Sequence, residues 1–355
     1  MNKKEKELFL ELCKFCNPNK EKIEKLIEDG YATNEVLGTL FANRVAGMAY
    51  GVLKEMELLQ KTNREFRNSL FYAKLVNEKI NQDYEGCVKY VSSELEDCNA
   101  PYALLKGAYL CNWYPKGYRT SNDIDILISP DDVGKVSAKL KLAGLKQGEL
   151  KNGVFVPATR QQIIESKMTR GETVPFIKET KLPYIKYLEV DVNFSLDYKN
   201  SNDTVLKEML TRTQSVSLGS GKLRTLDPID FLLYLCVHLY KEATTLPWIR
   251  MKRDMTFYKY CDIYALLQNY NGKHNEIIER SKANGMEREL AYCIKSIESF
   301  FDTRYEDFDE LLNSIDGLDV VIAPQEKKIY RYKESIPVNR FFAKDRIKLL
   351  EEIEK

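Results

Sequence analysis

Two acidic runs carry the residue types best suited to chemistry. In Asp123-Ile124-Asp125-Ile126-Leu127-Ile128 the side chains alternate. On a strand this puts Asp123 and Asp125 on one face and Ile124, Ile126 and Ile128 on the other. Carboxylates that close disfavour each other's charge, so a strand that keeps both invites a divalent cation between them. A solvated edge strand would read the same way, and short D-x-D matches are common. The run Tyr187-Leu188-Glu189-Val190-Asp191-Val192-Asn193-Phe194 repeats the device, with Glu189, Asp191 and Asn193 on one face. The exposed side of a half-buried strand is again the alternative. If the two strands are neighbours, Asp123, Asp125 and Asp191 converge. Such a cluster can hold two Mg²⁺ ions about 3.5 to 4 Å apart, one activating an attacking oxygen and one steadying a leaving pyrophosphate.

Lys106-Gly107 follows a short apolar run and precedes a helical one. A glycine there lets the backbone turn sharply, and the amides at the helix start can face an anion such as a triphosphate. A plain strand-to-helix turn uses the same residues. Arg119 is placed to clamp a phosphate, although a loop arginine is often only solvated. His238 lies in an apolar helix and reads as a semi-buried, hydrogen-bonded residue. Lys241, Lys252 and Asp262 read as structural, with contact to nucleotide or acceptor as the alternative.

The elements that must position these residues follow from periodicity. Helix-period segments fill Glu5 to about Cys98, read as four helices, the last and longest from about Asn63 to Leu95. Pro101 to Leu105 reads as a strand and Ala108 to Trp113 as a helix. The acidic strand Asp123 to Ile128 comes next, and then a helix opened by Pro130 and closed at Gly144. Further strand-like runs include Val174 to Ile177 and Tyr184 to Leu196, and several leave no room for a crossover helix, so the sheet should be mixed. Asp227 caps a helix with Pro228 in its first position. Helices continue to Phe301, and a last one is expected from about Asn339. The boundaries read from these changes are 1–99, helical; 100–224, an α/β core; and 225–355, helical.

Composition narrows the function. The 355 residues carry 54 basic and 53 acidic side chains, a formal charge of +1. No global field draws the chain to nucleic acid or an anionic membrane. There is no apolar run of about 18 residues and no signal-like start, so the expectation is a cytoplasmic protein without a membrane span. The eight cysteines read as buried reduced thiols, with Cys13 and Cys16 on a packed helix. Only His238 and His274 are available for a histidine-based zinc site. Carboxylates remain as the metal ligands.

In order, Leu104-Leu105-Lys106-Gly107, Tyr114-Pro115, Arg119, Asn122-Asp123-Ile124-Asp125-Ile126-Leu127-Ile128 and Glu189-Val190-Asp191 resemble the uncharacterised nucleotidyltransferase family of the DNA polymerase beta-like superfamily. The resemblance runs from about Val36 to Asp227-Pro228 and on to Asp262-Ile263. It implies an α+β fold, a mixed-sheet nucleotidyltransferase core flanked by helical regions. It further implies that Asp123 and Asp125 bind both metals, that Asp191 completes the site, and that the Gly107 turn, with Lys106 and Ala108 on either side, approaches the triphosphate. Ala108 departs from the serine often found after the turn glycine, so backbone amides replace a hydroxyl. Asn193 and Phe194 stand where relatives often have histidine and tryptophan. The expected cofactor is Mg²⁺, with Mn²⁺ as the substitute. The expected substrates are a nucleoside triphosphate, ATP first, and a hydroxyl on a small molecule or protein. The near-neutral charge argues against a long nucleic acid as acceptor. An antitoxin-like adenylylating regulator of a partner protein and an inactive nucleotide-sensing module are the alternatives.

Overall fold

The computed structural model describes residues 1–196, 203–219 and 221–353. Helices α1 (Lys3–Glu11), α2 (Lys20–Glu28), α3 (Thr33–Ala42) and α4 (Ala46–Glu55) precede the long α5 (Arg64–Leu95). Where four helices were expected, five α-helices are therefore present before residue 98. The extra break falls at Asn43-Arg44-Val45: Arg44 adopts a φ of 60°, and the axes of α3 and α4 turn by 119°. An asparagine starts α5 as expected, since Asn63 Oδ1 accepts the Phe66 amide at 2.7 Å.

Strand β1 (Tyr102–Leu104), α6 (Gly107–Trp113) and β2 (Asp123–Ile128) follow the sequence reading. After α7 (Val133–Leu142) come β3 (Lys146–Lys151), β4 (Val154–Pro157), α8 (Arg160–Thr169), β5 (Phe176–Glu179) and β6 (Tyr187–Asn193). Helix α8 had not been expected. Its signal is a capping box, in which Thr159 and Gln162 exchange side-chain and backbone hydrogen bonds. Then come α9 (Asp203–Thr211), the hairpin β7 (Gln214–Leu218) and β8 (Gly221–Thr225), and α10 (Pro228–Ala243). Asp227 Oδ1 accepts the Asp230 amide at 3.0 Å and caps α10.

The remaining elements are α11 (Leu246–Arg250), α12 (Phe257–Asn269), α13 (His274–Asn284), α14 (Glu287–Phe301), α15 (Asp309–Ser314), β9 (Val320–Ala323), β10 (Lys328–Tyr332), α16 (Pro337–Phe341) and β11 (Leu350–Ile353). The tail helix expected from Asn339 is thus a correction. Only the short α16 forms there, and the chain end instead pairs as β11 with β10 in a three-stranded sheet. The final strand's run of leucine, glutamates and isoleucine does not distinguish strand from helix by itself.

The chain forms two compact units, residues 76–231 and residues 1–75 with 232–355. In the first, six strands lie in the order β1-β2-β6-β5-β3-β4. The β2–β6 pair is parallel and the rest are antiparallel, the expected mixed sheet. Ile124, Ile126, Ile128, Val190 and Val192 pack with Val88, Val91, Ala108 and Val136 in one core. This burial, worth roughly 1.5–3 kcal/mol for each large aliphatic side chain, commits one face of β2 and β6 and leaves the acidic face opposite.

In the second unit Phe257 contacts Phe9, Phe300 and Phe341 at centroid distances of 4.9, 5.2 and 5.1 Å. These rings tie α1, α12, α14 and α16 together. Buried Glu242 lies 3.1 Å from His238 Nε2 and also meets Lys259, and Asp262 is buried. All eight thiols are free; Cys16 is exposed, and it sits with Cys13 in the turn after α1 rather than on a helix. Among the described residues no single helix is long and apolar enough to cross a membrane.

Candidate active site

Register brings the acids together. Across the parallel β2–β6 pair Asp125 faces Asp191, and two residues back Asp123 faces Glu189. Residues in register on adjacent strands project to the same side, so these four carboxylates share one face. Asp125 is buried, Glu189 and Asp191 are half-buried, and Asp123 is exposed. The face ends at the buried Leu127, opposite Asn193.

The electrostatics follow from that crowding. Burial, and then Asp125, Asp123, Glu189 and Glu172, push the Asp191 carboxyl well above its usual range. Burial and Asp123 raise Glu189. Burial also raises Asp125, against the opposing pull of Lys106. The Lys106 ammonium lies 2.7 Å from Asp125 Oδ1. Asn193 Nδ2 makes a long contact of 3.4 Å with the same oxygen.

The donor set, all hard carboxylate oxygens carrying an excess of negative charge, is the chemistry that suits Mg²⁺ or Mn²⁺. Among the described residues, as the side chains stand, no three His, Cys, Asp or Glu form a group that could hold a metal ion. The cation against Asp125 is lysine.

The scaffold around this face is tightly built. Lys106, between β1 and α6, has φ 45° and ψ −118°, a conformation that costs a non-glycine residue of order 1–3 kcal/mol. The Leu105 amide donates to the Asp125 carbonyl at 2.9 Å, fastening the turn to the acidic strand. Gly107 is required for space rather than for φ: a Cβ there would overlap Oγ and Cβ of Ser121 and lie 2.9 Å from the Tyr84 hydroxyl. Tyr84 itself donates to the Asp123 carbonyl at 2.7 Å. Asn81, one turn earlier on α5, accepts the Gly117 amide and donates to the Arg119 carbonyl, both at 2.8 Å. Helical spacing on α5 therefore pins the loop that delivers β2.

The turn residues differ in what they offer an anion. The Ala108 amide already donates to the Leu105 carbonyl at 3.0 Å, and its side chain is buried in the core. Arg119 is buried and its guanidinium donates to the Ser121 hydroxyl. It lies in the loop before β2, but its side chain is not solvated.

Sequence reasoning did not single out Glu172, Ser121 or the Lys106–Asp125 ion pair. Glu172 reaches the site by an isolated bridge to Asn193. That bridge has no local sequence signal. Ser121 was within reach, lying just before the acidic strand, and Lys106 was read as part of the turn, though without its ion pair.

A mixed sheet carrying acids on two adjacent parallel strands, fed by a glycine turn and a short helix, defines a nucleotidyltransferase-type core. The chain belongs to the uncharacterised nucleotidyltransferase family, whose model matches residues 32–302. Among solved structures it is similar to an antigenic nucleotidyltransferase-like protein from Paracoccidioides brasiliensis, at 15% identity over 57% of this chain and 94% of that one, with a TM-score of 0.31. No curated protein matches the chain.

Proposed function

We propose that this chain is a divalent-metal-dependent nucleotidyltransferase that moves an NMP from a nucleoside triphosphate, ATP first, to a hydroxyl of a small molecule or protein in the cytoplasm. The observation that supports the reading best is the in-register Asp125–Asp191 pair on neighbouring parallel strands, with Asp123 and Glu189 beside it, in a chain of a nucleotidyltransferase family.

Asp123, Asp125 and Asp191 would hold the metal. When bound, Mg²⁺ or Mn²⁺ supplies activation of the attacking oxygen and neutralisation of the departing pyrophosphate. A carboxylate oxygen of Asp191 takes the proton of the acceptor hydroxyl. The acceptor oxygen bonds to the α-phosphorus while the bond from that phosphorus to the bridging oxygen breaks, and pyrophosphate leaves with the electron pair. The Lys106-Gly107 turn lies against Asp125 and presents an ammonium to the triphosphate. Arg119 donates to the Ser121 hydroxyl, which packs against Gly107 of that turn. With a formal charge of +1, the chain offers a long nucleic acid little general attraction.

The test is calorimetric titration of each nucleoside triphosphate with Mg²⁺ into the wild type and into the doubly substituted Asp123→Asn, Asp125→Asn protein. One triphosphate should bind only with metal, and the double substitution should abolish binding. Absence of binding to every triphosphate refutes the reading.

One observation favours a second reading, a module that holds nucleotide without turnover. Among the described residues no three acids stand grouped for a metal. Triphosphate binding that is indifferent to Mg²⁺ and to the double substitution would select it.

A further inference from the structure

Lys106 combines three properties that a turn residue does not need. Its ammonium is 2.7 Å from Asp125 Oδ1, and both side chains are largely withdrawn from water, at 19% and 5% exposure. Its backbone has φ 45° and ψ −118°, which glycine adopts freely and lysine does not. The turn around it is fixed, by the Leu105 amide on the Asp125 carbonyl at 2.9 Å and by the packing of Gly107 against Ser121 and Tyr84. The backbone of the turn is thus held in place, and the side chain of Lys106 is the part of it that reaches the acidic face.

We propose that Lys106 is the resident counter-cation of the acidic face, competing with the first metal ion for Asp125 and transferring to the triphosphate when metal and nucleotide bind together. This rests on the reading of that face as a metal and nucleotide site. The charge on the page drives the exchange. Asp123, Asp125, Glu189 and Asp191 stand side by side, Glu172 adds its field, and Lys106 is the cation hydrogen-bonded to Asp125.

A divalent ion arriving alone must displace an ammonium that is already well paired. A metal–triphosphate complex brings the ammonium a new anionic partner and so lowers that cost. The chain would hold metal weakly by itself and metal with nucleotide strongly, and Lys106 would couple the two. The same lysine that opposes the metal would then favour the triphosphate, an opposition of sign that a purely structural ion pair does not produce.

The experiment titrates Mn²⁺ alone, followed by water-proton relaxation, into the full-length wild type, Lys106→Met and Lys106→Gly. It then titrates a non-hydrolysable ATP analogue at saturating Mn²⁺. Lys106→Gly removes the ammonium while suiting the backbone, which guards against a misfolded variant. Both variants should bind Mn²⁺ alone about tenfold more tightly than the wild type, because a unit charge beside the ligand oxygen is gone. Both should bind the analogue about tenfold more weakly.

If the wild type binds Mn²⁺ and analogue but the variants bind Mn²⁺ no more tightly, the inference falls and the nucleotidyltransferase reading stands. If the wild type binds neither, that reading falls and takes the inference with it.

Discussion

Replacing Gly107 by alanine tests how closely the turn is packed on the acidic strand. The new methyl group would overlap both Oγ and Cβ of Ser121 and come within 2.9 Å of the Tyr84 hydroxyl. Ser121 can rotate its hydroxyl away, but its Cβ is bonded to the backbone, so the loop before β2 must shift. Overpacking of this kind costs about 1–3 kcal/mol.

The shift also disturbs the hydrogen bonds from Arg119 to Ser121 and from Tyr84 to the Asp123 carbonyl, each worth about 1 kcal/mol. Helix propensity acts the other way and favours alanine by at most about 1 kcal/mol. The net expectation is a loss of about 3 kcal/mol. The chain has two tryptophans, of which Trp113 ends α6, the helix that Gly107 begins. Urea unfolding followed by Trp113 fluorescence in a Trp248→Phe background therefore reports on the right unit. The midpoint should fall by about 1 M or more.

Adding Ser121→Gly should recover most of the loss, whereas Ser121→Ala, which keeps the offending Cβ, should recover little. An unchanged midpoint in Gly107→Ala, or equal rescue by the two serine substitutions, would refute the packing argument.

Three further outcomes follow from the charges. The Asp191 carboxyl is raised in the folded chain, so its contribution to stability is full below its ordinary value near 4 and is lost as pH rises through the raised value. Asp191→Asn should therefore raise the melting temperature of the metal-free protein at pH 7, with the gain vanishing towards pH 4; calorimetric scans at both pH values decide it. Burial pushes Glu242 up, but His238 and Lys259 outweigh it and hold it far below the usual range. Its stabilisation is present above the ordinary carboxylate value and is lost only as pH falls through the depressed one, so Glu242→Gln should cost about 3 kcal/mol throughout the neutral range. Asp254 is fully buried against Arg346, at 2.6 and 2.7 Å. Arg346→Met should cost about 3–5 kcal/mol by leaving that carboxylate unpaired, read by Trp248 fluorescence in a Trp113→Phe background. The added Asp254→Leu should restore much of it.

What was legible in the sequence was periodicity, because an alternating or helical pattern states which side of an element is buried. Asp123 and Asp125 against Ile124, Ile126 and Ile128 gave the strand and its two faces, and Asp227-Pro228 gave the start of α10. Partners were less legible. That β6 lies beside β2 with Asp191 opposite Asp125 depends on where the chain returns after α7, β3, β4, α8 and β5, and no local pattern encodes it. The tail misled for the complementary reason. Its last strand is identified by pairing with β10, and a four-residue strand is too short for alternation to outweigh a helical reading.

The acidic face shows where pattern and chemistry separate. A D-x-D strand states that two negative charges share a side, yet it does not say what neutralises them. Lys106 lay in plain view as the residue before the turn glycine, but the turn alone assigned it to the backbone, as one amide among three. Its side chain acquires meaning only through the β1–β2 register, in which Leu104 stands opposite Ile126 and the Leu105 amide reaches the Asp125 carbonyl. Antiparallel pairing thus sets the following residue beside the carboxylate that most needs a cation. The ammonium and the acid are 19 residues apart in sequence, a separation with no helical or strand period. The distribution of charge over the site is therefore a property of the folded sheet, even though each charge was visible in the chain.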